Sequence, residues 1–123
     1  MDLRGGEVKT RIVVIGAGRI GTRVLLQLQK NPKIEVLTVD PRTQPYAVQR
    51  RIIRSVDYHE ALTPQAIEHV VQQTNPDLVL VTTSTEDMEL GQAPGVDLLV
   101  EALRREIAAT VRVPVIGVAR ALG

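Results

Sequence analysis

The sequence predicts an α/β fold: an open, parallel, doubly wound sheet of about five strands in the order 3-2-1-4-5, with helices on both faces. Short apolar runs rich in Val and Ile alternate along the chain with amphipathic helical segments, which is the pattern of βαβ units. The hydrophobic share of 44% and the charged share of 24% are those of a globular protein. At 123 residues the chain has the length of one domain. We therefore expect a single domain over residues 1–123, with residues 1–10 as an N-terminal leader.

The first βαβ unit has the clearest signals. Residues 11–15 read RIVVI and end at a glycine, as expected of a strand that is buried on both faces. A helical stripe of apolar residues follows over 19–30 and stops at Asn31-Pro32. A second apolar run over 34–40 predicts the next strand. Because the crossover between parallel strands is right-handed almost without exception, the topology of this unit follows from the sequence.

The middle of the chain is harder to interpret. Residues 42–51 are polar and basic, and Pro45 is well placed for the first turn of a helix. Residues 51–56 predict a third strand, although Arg51 and Arg54 interrupt its apolar character.

The second half of the chain again alternates between helix and strand. A helix begins at Thr63-Pro64, where a hydroxyl cap precedes a proline at the first helical position. The further elements predicted are an end of this helix at Asn75-Pro76, a fourth strand over 77–82, a polar stretch over 83–95, a helix over 96–107 and a fifth strand over 113–118.

A glycine motif, G-x-G-x-x-G, occupies residues 16–21 between the first predicted strand and the first predicted helix. In this context Gly16 permits a tight turn, Gly18 lets a pyrophosphate approach the backbone, and Gly21 lets the helix pack close to the sheet. The pyrophosphate would meet backbone N–H groups at the positive end of the helix dipole.

An acid follows this motif at the spacing expected of a dinucleotide site. Asp40 lies 19 residues after Gly21, where a carboxylate accepts hydrogen bonds from the adenosine ribose. Because its charge would repel a 2′-phosphate, the sequence favours NAD(H) over NADP(H). Arg42, separated from the acid by Pro41, leaves NADP(H) open, since a guanidinium there could neutralise a 2′-phosphate or stack on adenine.

Two alternatives to a dinucleotide stay open at this point. The glycines could serve chain geometry alone, in an α/β domain that binds no nucleotide. S-adenosylmethionine is the other candidate ligand, because methyltransferases also place an acid at the end of their second strand. Their usual sheet is larger than 123 residues of this pattern can build.

The glycine motif, Asp40 and the strand over 77–83 together resemble the NAD(P)-binding Rossmann superfamily. In size and layout the chain is most similar to the TrkA-N-like nucleotide-binding domains of potassium-transport regulators. This resemblance implies that Asp57 reaches toward the adenine, and that the hydroxyl-bearing Thr82-Thr83-Ser84 segment lies near the middle of the cofactor.

Composition excludes several other functions. The chain has no cysteine, which rules out disulfides, thiolate catalysis and cysteine-ligated metal. A net charge of +1, with only two Tyr and no Phe or Trp, argues against nucleic-acid binding. No apolar run is long enough to cross a membrane, and no signal peptide is recognisable, so we expect a cytoplasmic protein.

Three functions fit these observations. The first is a stand-alone dinucleotide-binding module with a sensor or regulatory role, and the second is the cofactor-binding part of an NAD(P)-dependent oxidoreductase completed by another domain or subunit. The third is a scaffold used only for protein interaction. We place the module first because the sequence shows no substrate pocket and no proton donor. A homodimer or a regulated partner protein is also expected, since an open sheet leaves unpaired edges.

No catalytic and no metal-ligating residue is predicted. The predicted cofactor-binding residues are Gly16, Ala17, Gly18, Arg19, Ile20, Gly21, Asp40, Pro41, Arg42, Asp57, Thr82, Thr83 and Ser84.

Overall fold

The computed structural model describes residues 9–84, 87 and 94–118. The predicted leader therefore lies outside the described residues except for its last two positions, as does most of the polar stretch that was predicted up to residue 95. The elements in chain order are β1 (Thr10–Ile15), α1 (Arg19–Leu28), β2 (Ile34–Val39), α2 (Tyr46–Gln49), α3 (Pro64–Thr74), β3 (Leu78–Val81), α4 (Val96–Thr110) and β4 (Val115–Gly117).

The four strands form one parallel sheet in the order β2-β1-β3-β4. Alternate residues of β1 enter two separate apolar layers. Val13 and Ile15 pack in a layer with α3 and α4, whereas Ile12 and Val14 pack on the opposite face with α1 and α2. The predicted fold class, a parallel α/β sheet with helices on both faces, is thus confirmed.

The predicted third strand over 51–56 does not form, and the described sheet has four strands rather than five. Arg51 has a φ of +58°, which breaks an extended run. The N–H groups of Ile52 and Ile53 turn back to the carbonyl of Ala47. Strand pairing at this edge of β2 is reduced to an isolated parallel bridge between Val39 and Tyr58.

The helix boundaries follow local capping chemistry. Thr63 caps α3 by accepting a hydrogen bond from the N–H of Ala66 at 3.2 Å, with Pro64 at the first helical position. Asn75 ends the helix with a left-handed φ of +49°. By contrast α1 begins after Gly18 and has no side-chain cap. None of the helices in the described parts of the chain is long and apolar enough to span a membrane.

Candidate functional site

The glycine loop, defined as residues 16–21, leads from the carboxyl end of β1 into α1. Gly16 has a φ of +97°, a conformation that favours glycine. A Cβ at this position would also lie 2.9 Å from Thr83 Oγ1 and 3.1 Å from Thr82 Oγ1. A Cβ on Gly21 would overlap the carbonyl oxygen of Gly16. The loop therefore packs against its own helix and against the end of β3, with no room for a side chain at Gly16 or Gly21.

Two threonines at the end of β3 hold the glycine loop in place. The buried Thr82 hydroxyl donates to the carbonyl of Gly16 at 2.7 Å and lies 3.0 Å from that of Ile15. The Thr83 hydroxyl is 3.4 Å from the Ile15 carbonyl. From β1 the chain continues to β2 on one side of the sheet and then crosses back to β3 on the other side of β1. The strand order therefore reverses between β1 and β3. Ligands of open α/β sheets bind at such a point.

Asp40 is fully buried behind the glycine loop. Its Oδ2 accepts hydrogen bonds from the Ala17 N–H at 2.9 Å and from Arg42 Nη2 at 2.8 Å. Its Oδ1 accepts from the N–H and from Nε of Arg42, both at 2.9 Å. Because a carboxylate has about four acceptor positions, those of Asp40 are filled within the chain. The ribose-binding role predicted for this acid would require Arg42 to release it.

The ion pair between Asp40 and Arg42 shifts the ionisation of both groups. Burial raises the pKa of Asp40, but hydrogen bonds from the Arg42 side chain and from the Ala17 and Arg42 N–H groups lower it by a larger amount. The pKa of Asp40 therefore lies below its usual value. The hydrogen bond to Asp40 raises the pKa of Arg42. Both groups are therefore charged over the whole physiological range.

The lowered pKa of Asp40 predicts how stability depends on pH. An acid whose pKa is lower in the folded state stabilises the fold above its unfolded pKa of about 4, and this contribution is lost as the pH falls below that value. We expect the free energy of unfolding, measured in urea from about pH 6 to about pH 2, to fall more steeply for the parent chain than for Asp40→Asn. Glu106→Gln, which neutralises an exposed carboxylate on α4, should keep the parent slope. Equal slopes for the parent chain and Asp40→Asn would contradict the assignment.

Asp87 is a residue of this site that the sequence did not predict. Its side chain is 4% exposed, and Oδ1 accepts from Arg42 Nη2 at 3.2 Å. Its Oδ2 accepts from the N–H of Ser84 at 3.0 Å. The carboxylate lies against Gly18, where a Cβ would overlap Oδ1. No sequence signal could have found it, because it lies in a polar stretch without periodicity.

Tyr46 is a second residue that the sequence analysis missed. The Ala47 N–H donates to the Ala17 carbonyl at 2.9 Å, which holds α2 against the glycine loop. The guanidinium carbon of Arg19 lies 5.0 Å from the centre of the Tyr46 ring, and that of Arg50 lies 5.8 Å from it. Pro45 at the helix start, followed by one of only two aromatic residues in the chain, was the available signal.

Two cavities lie beside the glycine loop. The first, of about 540 Å³, is lined by Gly18, Arg19, Arg42, Thr43, Gln44, Pro45, Tyr46, Gln49 and Asp87. The second, of about 520 Å³, is lined by Ile20, Val81, Thr83, Ser84, Asp97, Val100, Glu101, Arg104, Gly117 and Val118. Consecutive residues of the loop thus line different cavities.

The remaining predicted residues are divided between the loop and the β2 edge. Ala17 is buried within the glycine loop, and Pro41 is exposed. Asp57 lies at the outer edge of β2, where its carboxylate accepts hydrogen bonds from the Thr38 N–H at 2.8 Å and from the Thr38 hydroxyl at 3.1 Å. It lines a separate cavity with residues of α1 and β2. The structure therefore brings the glycine loop, Asp40, Arg42 and 82–84 together and places Asp57 apart from them.

These features define a dinucleotide-binding domain of the Rossmann type: a parallel sheet, a glycine loop where the strand order reverses, and α1 packed closely against that loop. The chain belongs to the ketopantoate reductase PanE/ApbA family, whose profile matches residues 12–93. This is an NAD(P)-binding family with a Rossmann-like domain. No curated protein matches the chain in sequence.

Similar solved structures are much longer than this chain. A glycinamide-RNase-transformylase T from Mycobacterium tuberculosis is 17% identical with a TM-score of 0.51, and the match covers 90% of this chain and 29% of that one. A myo-inositol dehydrogenase from Corynebacterium glutamicum is 23% identical with a TM-score of 0.49, over 89% of this chain and 36% of that one. The chain therefore spans about a third of the length of these structures.

Proposed function

We propose that this chain is the cofactor-binding part of an NAD(P)-dependent oxidoreductase and that another domain or subunit completes the active site. The observation that carries the proposal is the position of the glycine loop between two cavities of about 540 and 520 Å³. Gly18 and Arg19 line the first, and Ile20 lines the second. A pyrophosphate that crosses the loop would place the two halves of a dinucleotide in the two cavities.

The first cavity fits the adenosine half. Arg19 and Arg42 line it together with Tyr46, whose ring lies beside the Arg19 and Arg50 guanidinium groups. Asp40 is paired with Arg42 and is fully buried, so its charge does not face an incoming phosphate unopposed. This arrangement supports NADP(H) over the NAD(H) that the sequence alone favoured, because the exposed Arg19 guanidinium in the cavity wall is suited to a 2′-phosphate.

The second cavity fits the nicotinamide half. It lies at the carboxyl ends of β3 and β4, beside Thr83, Ser84 and Arg104. The guanidinium of Arg104 pairs with Glu101, with Nε 3.2 Å from Oε2, and its aliphatic part packs where a Cβ on Gly117 would be. A bound nicotinamide would supply the hydride, while the residues of this chain would position its ring at the sheet edge. The substrate and the proton donor would come from the completing domain.

The choice among the predicted functions rests on the family. A sensor or regulatory module was the first expectation from the sequence, but membership of a reductase family favours the oxidoreductase part. The finer resemblance to TrkA-N-like domains, the homodimer and the regulated partner protein stay predictions.

Isothermal titration calorimetry of the full chain with NADP⁺, NAD⁺ and S-adenosylmethionine tests the proposal. We expect NADP⁺ to bind at least about tenfold more tightly than NAD⁺, the effect of one charge-assisted contact of about 1.5 kcal/mol. Arg19→Gln should weaken NADP⁺ binding by about tenfold and leave NAD⁺ binding nearly unchanged.

Arg23→Gln is the matched control for this experiment. Arg23 is exposed one turn further along α1 and lines neither cavity, so its loss should leave both affinities unchanged. Equal affinities for the two dinucleotides would overturn the NADP(H) preference. No binding of either dinucleotide at millimolar concentration, by the parent chain or by any of its variants, would overturn the proposed function, and binding of S-adenosylmethionine alone would replace it with methyl transfer.

A further inference from the structure

The space in front of Gly18 is filled by a carboxylate of the chain itself. A Cβ on Gly18 would lie 2.6 Å from Asp87 Cγ and 2.9 Å from its Oδ2, in addition to overlapping Oδ1. The Asp87 side chain is only 4% exposed, so this is a packed position and not a surface contact. The missing side chain of Gly18, which lets a pyrophosphate approach the backbone in this kind of loop, here admits Asp87.

The partners of Asp87 are those that would suit a phosphate. One carboxylate oxygen accepts from the backbone N–H of Ser84 at 3.0 Å, and the other accepts from Arg42 Nη2 at 3.2 Å. A backbone N–H and a guanidinium are common donors to phosphate oxygens. A carboxylate presents the same acceptor chemistry and a negative charge, so Asp87 and a phosphate group would compete for one place.

From this geometry we infer that Asp87 is an internal competitor for the pyrophosphate position on the glycine loop and sets the affinity of the site. The inference rests on the proposed function. The dinucleotide binds after the Asp87 carboxylate has left Gly18, since the two overlap and carry like charge. Arg42 then exchanges one anionic partner, Asp87, for another on the ligand, while it keeps Asp40. The apparent affinity is the intrinsic affinity multiplied by the fraction of molecules in which Asp87 has left.

The test compares the full chain with Asp87→Asn and Asp87→Ala, using NADP⁺ and inorganic pyrophosphate as probes in calorimetric titrations. A binding-competent state that is populated at about 10% or less raises the apparent Kd by about tenfold or more. We therefore expect both variants to bind both probes at least about tenfold more tightly than the parent chain. Glu106→Gln, which neutralises an exposed acid on α4 outside both cavities, should bind them as the parent chain does.

A second readout separates competition from a structural role. Without ligand, Asp87→Asn should melt at a lower temperature than the parent chain, because its contact with Arg42 is weakened. Loss of stability together with gain of affinity is the signature of a group that holds the unliganded site. A variant that loses both would show that Asp87 supports the ligand, and this outcome would overturn the inference.

The remaining outcomes also discriminate. If the parent chain binds NADP⁺ and Asp87→Asn binds it equally or more weakly, the inference fails and the proposed function stands. If only the variants bind, both are supported. If neither the parent chain nor any variant binds either probe, both fail.

Discussion

Asp40→Ala should lower the free energy of unfolding by about 2–3 kcal/mol, the cost of removing a buried acid from its hydrogen bonds and from its ion pair with the partly exposed Arg42. The substitution removes the acceptor of the Ala17 N–H at 2.9 Å and the bidentate partner of Arg42. Ala17 is buried, so its N–H would be left without a protein acceptor. Urea unfolding of the parent chain and the variant at neutral pH measures the difference.

Asp77→Ala is the matched control for this prediction. Asp77 also accepts a hydrogen bond from a backbone N–H, that of Arg11 at 2.8 Å, but in an exposed position. Its removal should cost about 1 kcal/mol or less, because water can replace the lost acceptor. If the two variants were equally stable, Asp40 would not be holding the glycine loop, and its assignment as a structural acid would be wrong.

Gly21→Ala should also destabilise the protein strongly, by about 2–3 kcal/mol from overpacking. A Cβ there would overlap the carbonyl oxygen of Gly16 and lie 2.8 Å from Thr82 Oγ1. The first of these is a backbone atom that the Thr82 hydroxyl holds at 2.7 Å, so it cannot move away without breaking the contact between the loop and β3. The gain of about 1 kcal/mol that Ala brings to a helix interior does not offset this strain.

Gly18→Ala provides the comparison for Gly21→Ala. Its Cβ would also meet an atom at close range, but that atom belongs to the Asp87 carboxylate, which can turn aside. We expect Gly18→Ala to unfold at a urea midpoint nearer to that of the parent chain than to that of Gly21→Ala. If Gly18→Ala unfolded at a lower urea concentration than Gly21→Ala, the tight packing that stabilises the loop would be at Gly18 and not at Gly21.

By these two predictions, Asp40 and Gly21 affect the stability of the fold as well as any binding of a ligand. Asp40 and Gly21 are positions where a dinucleotide site is recognised in the sequence, yet in the structure their contacts are made within the chain. Asp40 holds the loop through Ala17, and Gly21 lets α1 rest on Gly16. A loss of binding in variants of these residues therefore has to be separated from a loss of folding, which is why the exposed Arg19 is the better probe of ligand contact.

The sequence was sufficient for features that depend on neighbouring residues. The β1-α1-β2 unit, the turn at Gly16 and the capped α3 follow from short-range rules: a run of β-branched residues, a glycine at a positive φ, and a threonine before a proline. Each is decided within a few residues along the chain, so each could be predicted without a structure.

Tertiary structure decided the features that join distant residues. The segment after Arg51 turns back to Ala47 instead of pairing with β2. Ile52 and Ile53 then pack in the apolar layer on the α1 face of the sheet. Asp40 looked free for a ribose, but the folded chain fills its acceptors with Ala17 and Arg42. Asp87 reaches Gly18 only because β1 and β3 are neighbours in the sheet. Local sequence determined most of the elements that form, whereas long-range packing determined which groups lie beside Gly18, because residues that are distant in the chain come into contact only once it has folded.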